Sequence, residues 1–209
     1  MIATIFGATG TVGKQLVKQA LQKDYTVRAF GRNVFTADFP ENKNLHLITG
    51  ALFDKDQVLH AIKGADAVLS ALGGATDGTD KTRSLGMKNI TEQMQKEGVQ
   101  RIVAIGGMGS LDAPDGEIFM NRPGYPQKFL AVGREHWQAF QHLLASGLQW
   151  TFVCPPDIID AESTGLFRTE ANTVPEPNIF KINAGDLAMF MLKELNEKKY
   201  VQKRVGISN

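Results

Sequence analysis

A glycine run near the N-terminus narrows the folds open to this chain. Gly7-Ala8-Thr9-Gly10-Thr11-Val12-Gly13 stands between a short apolar segment (Ile2, Ile5, Phe6) and an amphipathic one (Val12, Leu16, Val17, Ala20, Leu21). The first reads as a strand and the second, at helical spacing, as a helix. Between such elements Gly7 allows a tight turn, Gly10 lets the backbone approach a diphosphate without a Cβ, and Gly13 lets the helix pack close to the strand. Unpaired N–H groups at the helix start then face the anionic charge. Gly7, Thr9, Gly10, Thr11, Val12 and Gly13 are therefore candidate dinucleotide contacts. A tight βα turn without a ligand is the alternative.

The rest of the chain repeats the alternation. Tyr25–Phe30 reads as a second strand ending at Gly31-Arg32-Asn33. Where a site takes an unphosphorylated ribose, a carboxylate near this point meets the 2′-hydroxyl. Here Arg32 and Asn33 stand instead, and a guanidinium suits a 2′-phosphate. NADP(H) is expected, with NAD(H) as the lesser option; a surface arginine is the other reading. Val34–Asn44 lacks periodicity, so a second crossover helix is short or missing. Leu45–Gly50, Ala65–Leu72, Arg101–Ile105 and Leu148–Cys154 read as further strands. Asp54–Lys63, Asp80–Glu97 (Leu85, Met87, Ile90, Met94), Lys128–Ser146 (Phe129, Val132, Trp137, Phe140, Leu144) and Gly185–Leu195 read as helices. Arg204–Ile207 reads as an edge strand. The expected fold is α/β: one domain over 1–209, with a doubly wound parallel sheet in three αβα layers. Ligands bind outside the carboxyl ends of such strands. That adds Ala71, Leu72 and Gly73 after the fourth strand, Gly106 and Gly107 after the fifth, and Pro155 after the sixth to the cofactor candidates. Leu111–Gln127, rich in proline, reads as a loop covering the substrate. Ala161–Pro177 reads as a second covering loop with room for a short hairpin.

Composition removes other classes. A length of 209 residues suits one α/β domain. A net charge of +1 gives no field for nucleic acid or an anionic membrane. Lys198-Lys199 and Lys203-Arg204 read as a solvated edge. Cys154 is the only cysteine, so no internal disulfide forms. Its apolar surroundings read as a buried thiol, not a nucleophile. No stretch has the apolar length of a membrane span, and no signal peptide is read at the N-terminus. The expected location is the cytoplasm, and the expected state a monomer or homodimer. The histidines show no metal-ligand spacing.

G-A-T-G-T-V-G after the first strand, G-R-N after the second, A-L-G-G after the fourth and S-G-L-Q-W-T-F-V-C-P-P across the sixth resemble the atypical short-chain dehydrogenases. Within that group the chain is most similar to the NAD(P)H flavin reductase and biliverdin reductase B branch, with NmrA-like proteins close by. The resemblance spans nearly the whole length. It implies a Rossmann fold, NADP(H), and hydride transfer to a flavin, quinone or tetrapyrrole stacked on the nicotinamide, with flavin as a substrate and not a tightly bound group. The partner is then a small planar acceptor. Three positions depart from the branch: Gly107 stands where a serine is frequent, with Ser110 nearby; Asp157 replaces a histidine; Ala51 replaces an acidic residue. The histidine of the long helix is kept as His136.

Ketone reduction makes an alkoxide that a positioned acid must protonate, and short-chain dehydrogenases use a Tyr with a Lys four residues later. Tyr125 is followed by Lys128 across a proline, which is the wrong spacing. Flavins and quinones spread the incoming charge, so they need a protein acid less. The candidate catalytic residues are His136, Ser110 and Tyr125. His136 either bonds the acceptor or relays a proton, or is a packing residue. Ser110 either donates a hydrogen bond or caps a turn. Tyr125 either stacks on the acceptor or packs on its own loop. The rival functions are a non-catalytic NADP(H) sensor of the NmrA-like type and, more weakly, an epimerase.

Overall fold

Strand β1 (Ile2–Phe6) is buried from Ala3 onward, which requires cover on both faces of its sheet. Even Thr4 is enclosed, and its hydroxyl donates to Ala61 O at 2.8 Å. The computed structural model describes residues 1–209. After β1 come α1 (Thr11–Gln22), β2 (Thr26–Gly31), β3 (Leu45–Thr49), α2 (Lys55–Ile62) and β4 (Ala67–Ser70). Then follow α3 (Thr82–Glu97), β5 (Arg101–Ile105), α4 (Leu130–Ala145), β6 (Gln149–Cys154) and β7 (Asp157–Ile159). The chain closes with β8 (Arg168–Ala171), β9 (Lys181–Asn183), α5 (Ala184–Glu197) and β10 (Lys203–Ser208). Only a 3₁₀ turn, Val34–Thr36, lies between β2 and β3, as the lack of periodicity there predicts.

The main sheet has the order β3-β2-β1-β4-β5-β6-β10-β8. All neighbours are parallel except β8, which runs antiparallel to β10. The chain builds outward from β1 to β3, then returns to place β4 on the other side of β1. The crevice for a ligand opens at that reversal. Helices α1 and α5 cover one face through Leu16, Val17, Leu187 and Met191. Helices α2, α3 and α4 cover the other through Ile62, Met87, Ile90 and Leu143, packed on Phe6, Phe30 and Phe152. This is the doubly wound, three-layer domain expected from the sequence.

Four local expectations change. Leu85 and Leu144 are exposed, not inward. On α3 the inward position belongs to Gly86, where a Cβ would lie 2.3 Å from Leu52 Cδ2; on α4 it belongs to Leu143. Strand β10 is not an edge, because β8 pairs beyond it. Residues 161–177 form no hairpin: β8 pairs with β10, while β7 pairs in parallel with β9 as a separate ribbon. Arg204 is not a solvated residue either, as the site shows.

At the amino ends of the strands a buried ion pair fixes α5 to the sheet. Arg101 Nη2 donates to Glu194 Oε1 at 2.9 Å, and the same carboxylate accepts from Thr151 Oγ1 and from the Tyr200 and Lys199 amides. Removing one partner would strand a buried charge at a cost of about 3–5 kcal/mol.

Candidate functional site

A cleft of about 1210 Å³ opens at the carboxyl ends of the strands. That exceeds the roughly 300–1,000 Å³ of an ordinary small-molecule pocket. It leaves room for a dinucleotide beside a second molecule. The glycine turn, Arg32 and residues 50–53 border it beyond β1, β2 and β3. Ala71, Leu72, Gly73, Gly106 and Gly107 line its middle. Tyr125, His136, Pro155 and Asp157 close it beyond β5 and β6.

Backbone shapes the first wall. Gly7 has φ +75°, a left-handed conformation, and a Cβ there would meet Ala71 O at 2.3 Å. A Cβ on Gly13 would lie 2.0 Å from Gly7 O, so α1 touches the turn with no gap. Gly13 therefore works from behind and does not itself line the cleft. Helix α1 opens at Gly10 with no side-chain cap and no acidic residue in its first turn. By contrast, the Asp54 side chain caps α2 by accepting from the Asp56 and Gln57 amides. A helix start left uncapped beside a cleft presents its N–H groups and dipole to an anion. The cradle fits a dinucleotide diphosphate. Arg32 is exposed at the cleft edge. Asn33 does not line the cleft; its carbonyl accepts from Thr36 in the following 3₁₀ turn.

Side chains shape the second wall. His136, from α4, lies against Gly107: a Cβ at Gly107 would sit 2.8 Å from His136 Cδ2 and 3.3 Å from Nε2. At Gly107, where a serine is frequent in the resembling branch, the imidazole edge fills the space a Cβ would take. Burial, helped by the Arg83 charge, lowers the His136 imidazole to about 3. Its Nδ1 is enclosed without a partner. His136 is therefore neutral at physiological pH and can exchange hydrogen bonds, but it holds no extra proton to give. Tyr125 turns its hydroxyl into a slot between Gly109 and Gly133, where a Cβ would stand 2.6 Å and 3.7 Å from it. Phe119 meets the ring edge-on at 6.1 Å. Burial raises the Tyr125 phenol, so it stays protonated. Tyr125 borders the cleft while packed against Phe119 of its own loop.

Ser110 needs correction. It is fully buried, does not line the cleft, and its hydroxyl has no partner. Its carbonyl instead accepts from Arg204 Nη1 at 2.6 Å. Arg204 also grips both oxygens of Asp112, at 2.7 and 2.8 Å, and lies over Trp137 and Phe140. A residue of the last strand thereby fixes the start of the 111–127 loop and the helix carrying His136. Cys154 is buried and its thiol is pushed up to about 12 by burial, which suits a core residue.

The sequence reading missed Arg83 and Arg122, and the apolar side chains Phe119, Phe129, Ile158 and Phe180, all on the cleft. Arg83 donates to the carbonyls of Gly74 and Ala75 at 3.0 and 2.9 Å, holding the loop after β4 in place. No local signal marks it, since an arginine in a first helical turn is ordinarily solvated.

Known proteins share this fold. An uncharacterized protein of Bacillus subtilis, YwnB, is 23% identical across 97% of this chain and 96% of its own length. A Bacteroides thetaiotaomicron structure, provisionally named an epimerase, is 28% identical with TM-score 0.86, covering 99% of this chain and 96% of its own. A Streptococcus pneumoniae structure, provisionally named an NADH-flavin reductase, is 24% identical with TM-score 0.83, covering 100% and 99%. No helix is long and apolar enough to cross a membrane. The family model described as NAD(P)H-binding matches residues 7–198, and on that match and the cradle at α1 the chain belongs to the NAD(P)H-binding family.

Proposed function

We propose that the protein is an NADPH-dependent reductase of a flat conjugated acceptor, a flavin or a quinone. The observation that carries this reading is the contrast inside one cleft. A diphosphate cradle faces a largely apolar wall of Met108, Phe119, Tyr125, Phe129 and Pro155, with Arg122, Asp157 and Asp160 also on the cleft. When bound, NADPH supplies a hydride. The turn from Gly7 to Gly13 would hold the diphosphate, and Arg32 the 2′-phosphate that favours NADPH over NADH. The apolar wall would exclude water and stack a planar ring. His136, neutral, would orient the acceptor by a hydrogen bond. Without a tyrosine–lysine acid pair, an acceptor that delocalises its new charge fits better than a ketone. The same lack counts against epimerase chemistry.

The test is steady-state NADPH oxidation with FMN, riboflavin and simple quinones. Turnover with at least one, faster than with simple ketones, is expected. Tight NADPH binding with no turnover of any of them would replace this reading by that of an NADP(H) sensor.

A further inference from the structure

Of the ten large apolar side chains exposed on this fold, three line the cleft: Phe53, Ile158 and Phe180. Ile158 and Phe180 belong to its far end, beyond β6. Phe53 stands by itself at the other end, beyond β3, and is 59% exposed. Strand register fixes its place. β2 and β3 pair with Gly31 opposite Thr49, and the Gly50 amide donates to Gly31 O at 3.4 Å. Arg32 and Gly50 therefore leave the sheet side by side, and Phe53 follows three residues after Gly50. The residues between turn inward. Gly50 lies on Phe30, whose ring a Cβ would meet at 2.4 Å. Leu52 packs on α3, where a Cβ at Gly86 would lie 2.3 Å from its Cδ2, and its carbonyl accepts from Asn89. Polar groups nearby are engaged. The Ala51 amide donates to Gln57 Oε1 at 2.7 Å, and its carbonyl accepts from the Asp54 amide. The Asp54 carboxylate accepts from the Asp56 and Gln57 amides and from Gln57 Nε2, and it does not line the cleft. Beyond β3 the cleft thus presents methyl, isobutyl and phenyl groups, and no side-chain acceptor.

We infer that Phe53 is the stacking face for the adenine of the cofactor, and that the base is held by its flat face and not through its 6-amino group. This rests on the assignment of Arg32 to the 2′-phosphate in the reading above. In NADPH that phosphate and the adenine sit on adjacent carbons of one ribose. A ribose held at Arg32 brings the base to the neighbouring segment, 50–53, where Phe53 is the exposed aromatic surface. Stacking on such a ring is indifferent to the edge of the base, because every base has a π face. A 6-amino group that meets no side-chain acceptor keeps its hydrogen bonds to water and adds nothing to the choice of base.

Calorimetry on the full chain reads this without turnover. NADP⁺ should bind Phe53→Ala at least about fivefold more weakly than wild type. Phe53→Leu should stay weak, because leucine is apolar but has no flat face, and Phe53→Trp should bind at least as tightly as wild type. Urea midpoints should match wild type in all three, since the exposed ring covers no core. N6-methyl-NADP⁺, and the analogue with hydrogen in place of the 6-amino group, should bind wild type within about twofold of NADP⁺. Unchanged affinity in Phe53→Ala, or full recovery in Phe53→Leu, would overturn the inference and leave the cofactor reading in place. So would a loss of about tenfold or more with either analogue, which would show that the edge of the base is read. A loss of affinity that tracks a loss of stability would assign Phe53 to packing and overturn the inference as well. Wild type that binds neither NADP⁺ nor NAD⁺ would overturn the cofactor reading and this inference together.

Discussion

The two walls of the cleft are built on different physical terms. The wall at β1 and α1 is backbone: a left-handed glycine, an uncapped helix start, and a second glycine whose Cβ would lie 2.0 Å from Gly7 O. The wall at the 111–127 loop and α4 is side chain: His136 against Gly107, Tyr125 in a glycine slot, Arg204 clamping Asp112. A backbone wall offers the same N–H groups to any diphosphate. A side-chain wall can change its guest by changing residues. The lesson is that the cradle for the cofactor is a property of chain path, whereas the shape of the facing wall is a property of packing between distant segments.

The comparison can be broken at several points. The largest effect is expected from Gly13→Ala, because the new methyl meets backbone that has nowhere to move. A loss of about 3 kcal/mol in urea unfolding is expected, with NADPH binding lost by calorimetry. Normal stability and binding would show that the backbone wall yields after all. Next comes Arg204→Met, which removes a two-pronged carboxylate contact and should cost about 2 kcal/mol. It should raise the acceptor KM while leaving the NADPH Kd alone; a parallel loss of NADPH affinity would mean that the walls are one unit. Arg32→Asp should weaken NADPH relative to NADH about tenfold, or about 1.4 kcal/mol. An unchanged preference would remove Arg32 from the cofactor wall.

The smallest expected effect is on the pH profile of the rate. His136 lies near 3 when folded, so no imidazole inflection should appear in kcat between about pH 5 and 8. An inflection near 6.5 that His136→Gln abolishes would make it a proton donor. Stability gives the sign independently. Below about pH 6.5 the unfolded chain takes up a proton that folded His136 refuses until about pH 3. Wild type should therefore lose more stability than His136→Gln as pH falls through that window.

Much of the fold was legible because its signals are local. The glycine turn, the apolar strand β5, and the methionines of α3 each declare themselves within a few residues. Errors arose where one local pattern allowed two registers: Leu85 and Leu144 sit one position from the residues the core actually takes, Gly86 and Leu143. The site divides in the same way. Gly7, Gly10 and Arg32 stand where the sequence placed them on the cleft. Ser110 does not: it is buried, and its carbonyl meets the Arg204 guanidinium from 94 positions away.

By itself, then, the sequence determined the alternation of strand and helix, the cradle at the first turn, and the lack of a tyrosine–lysine acid. All three are matters of neighbours along the chain, where spacing alone dictates geometry. Tertiary structure decided that Arg204 is a clamp, that Arg83 holds a loop, that His136 is kept neutral, and that β7 joins β9 as a separate ribbon beside the cleft. Each of those depends on burial and on partners brought together from far apart, and spacing carries no record of either.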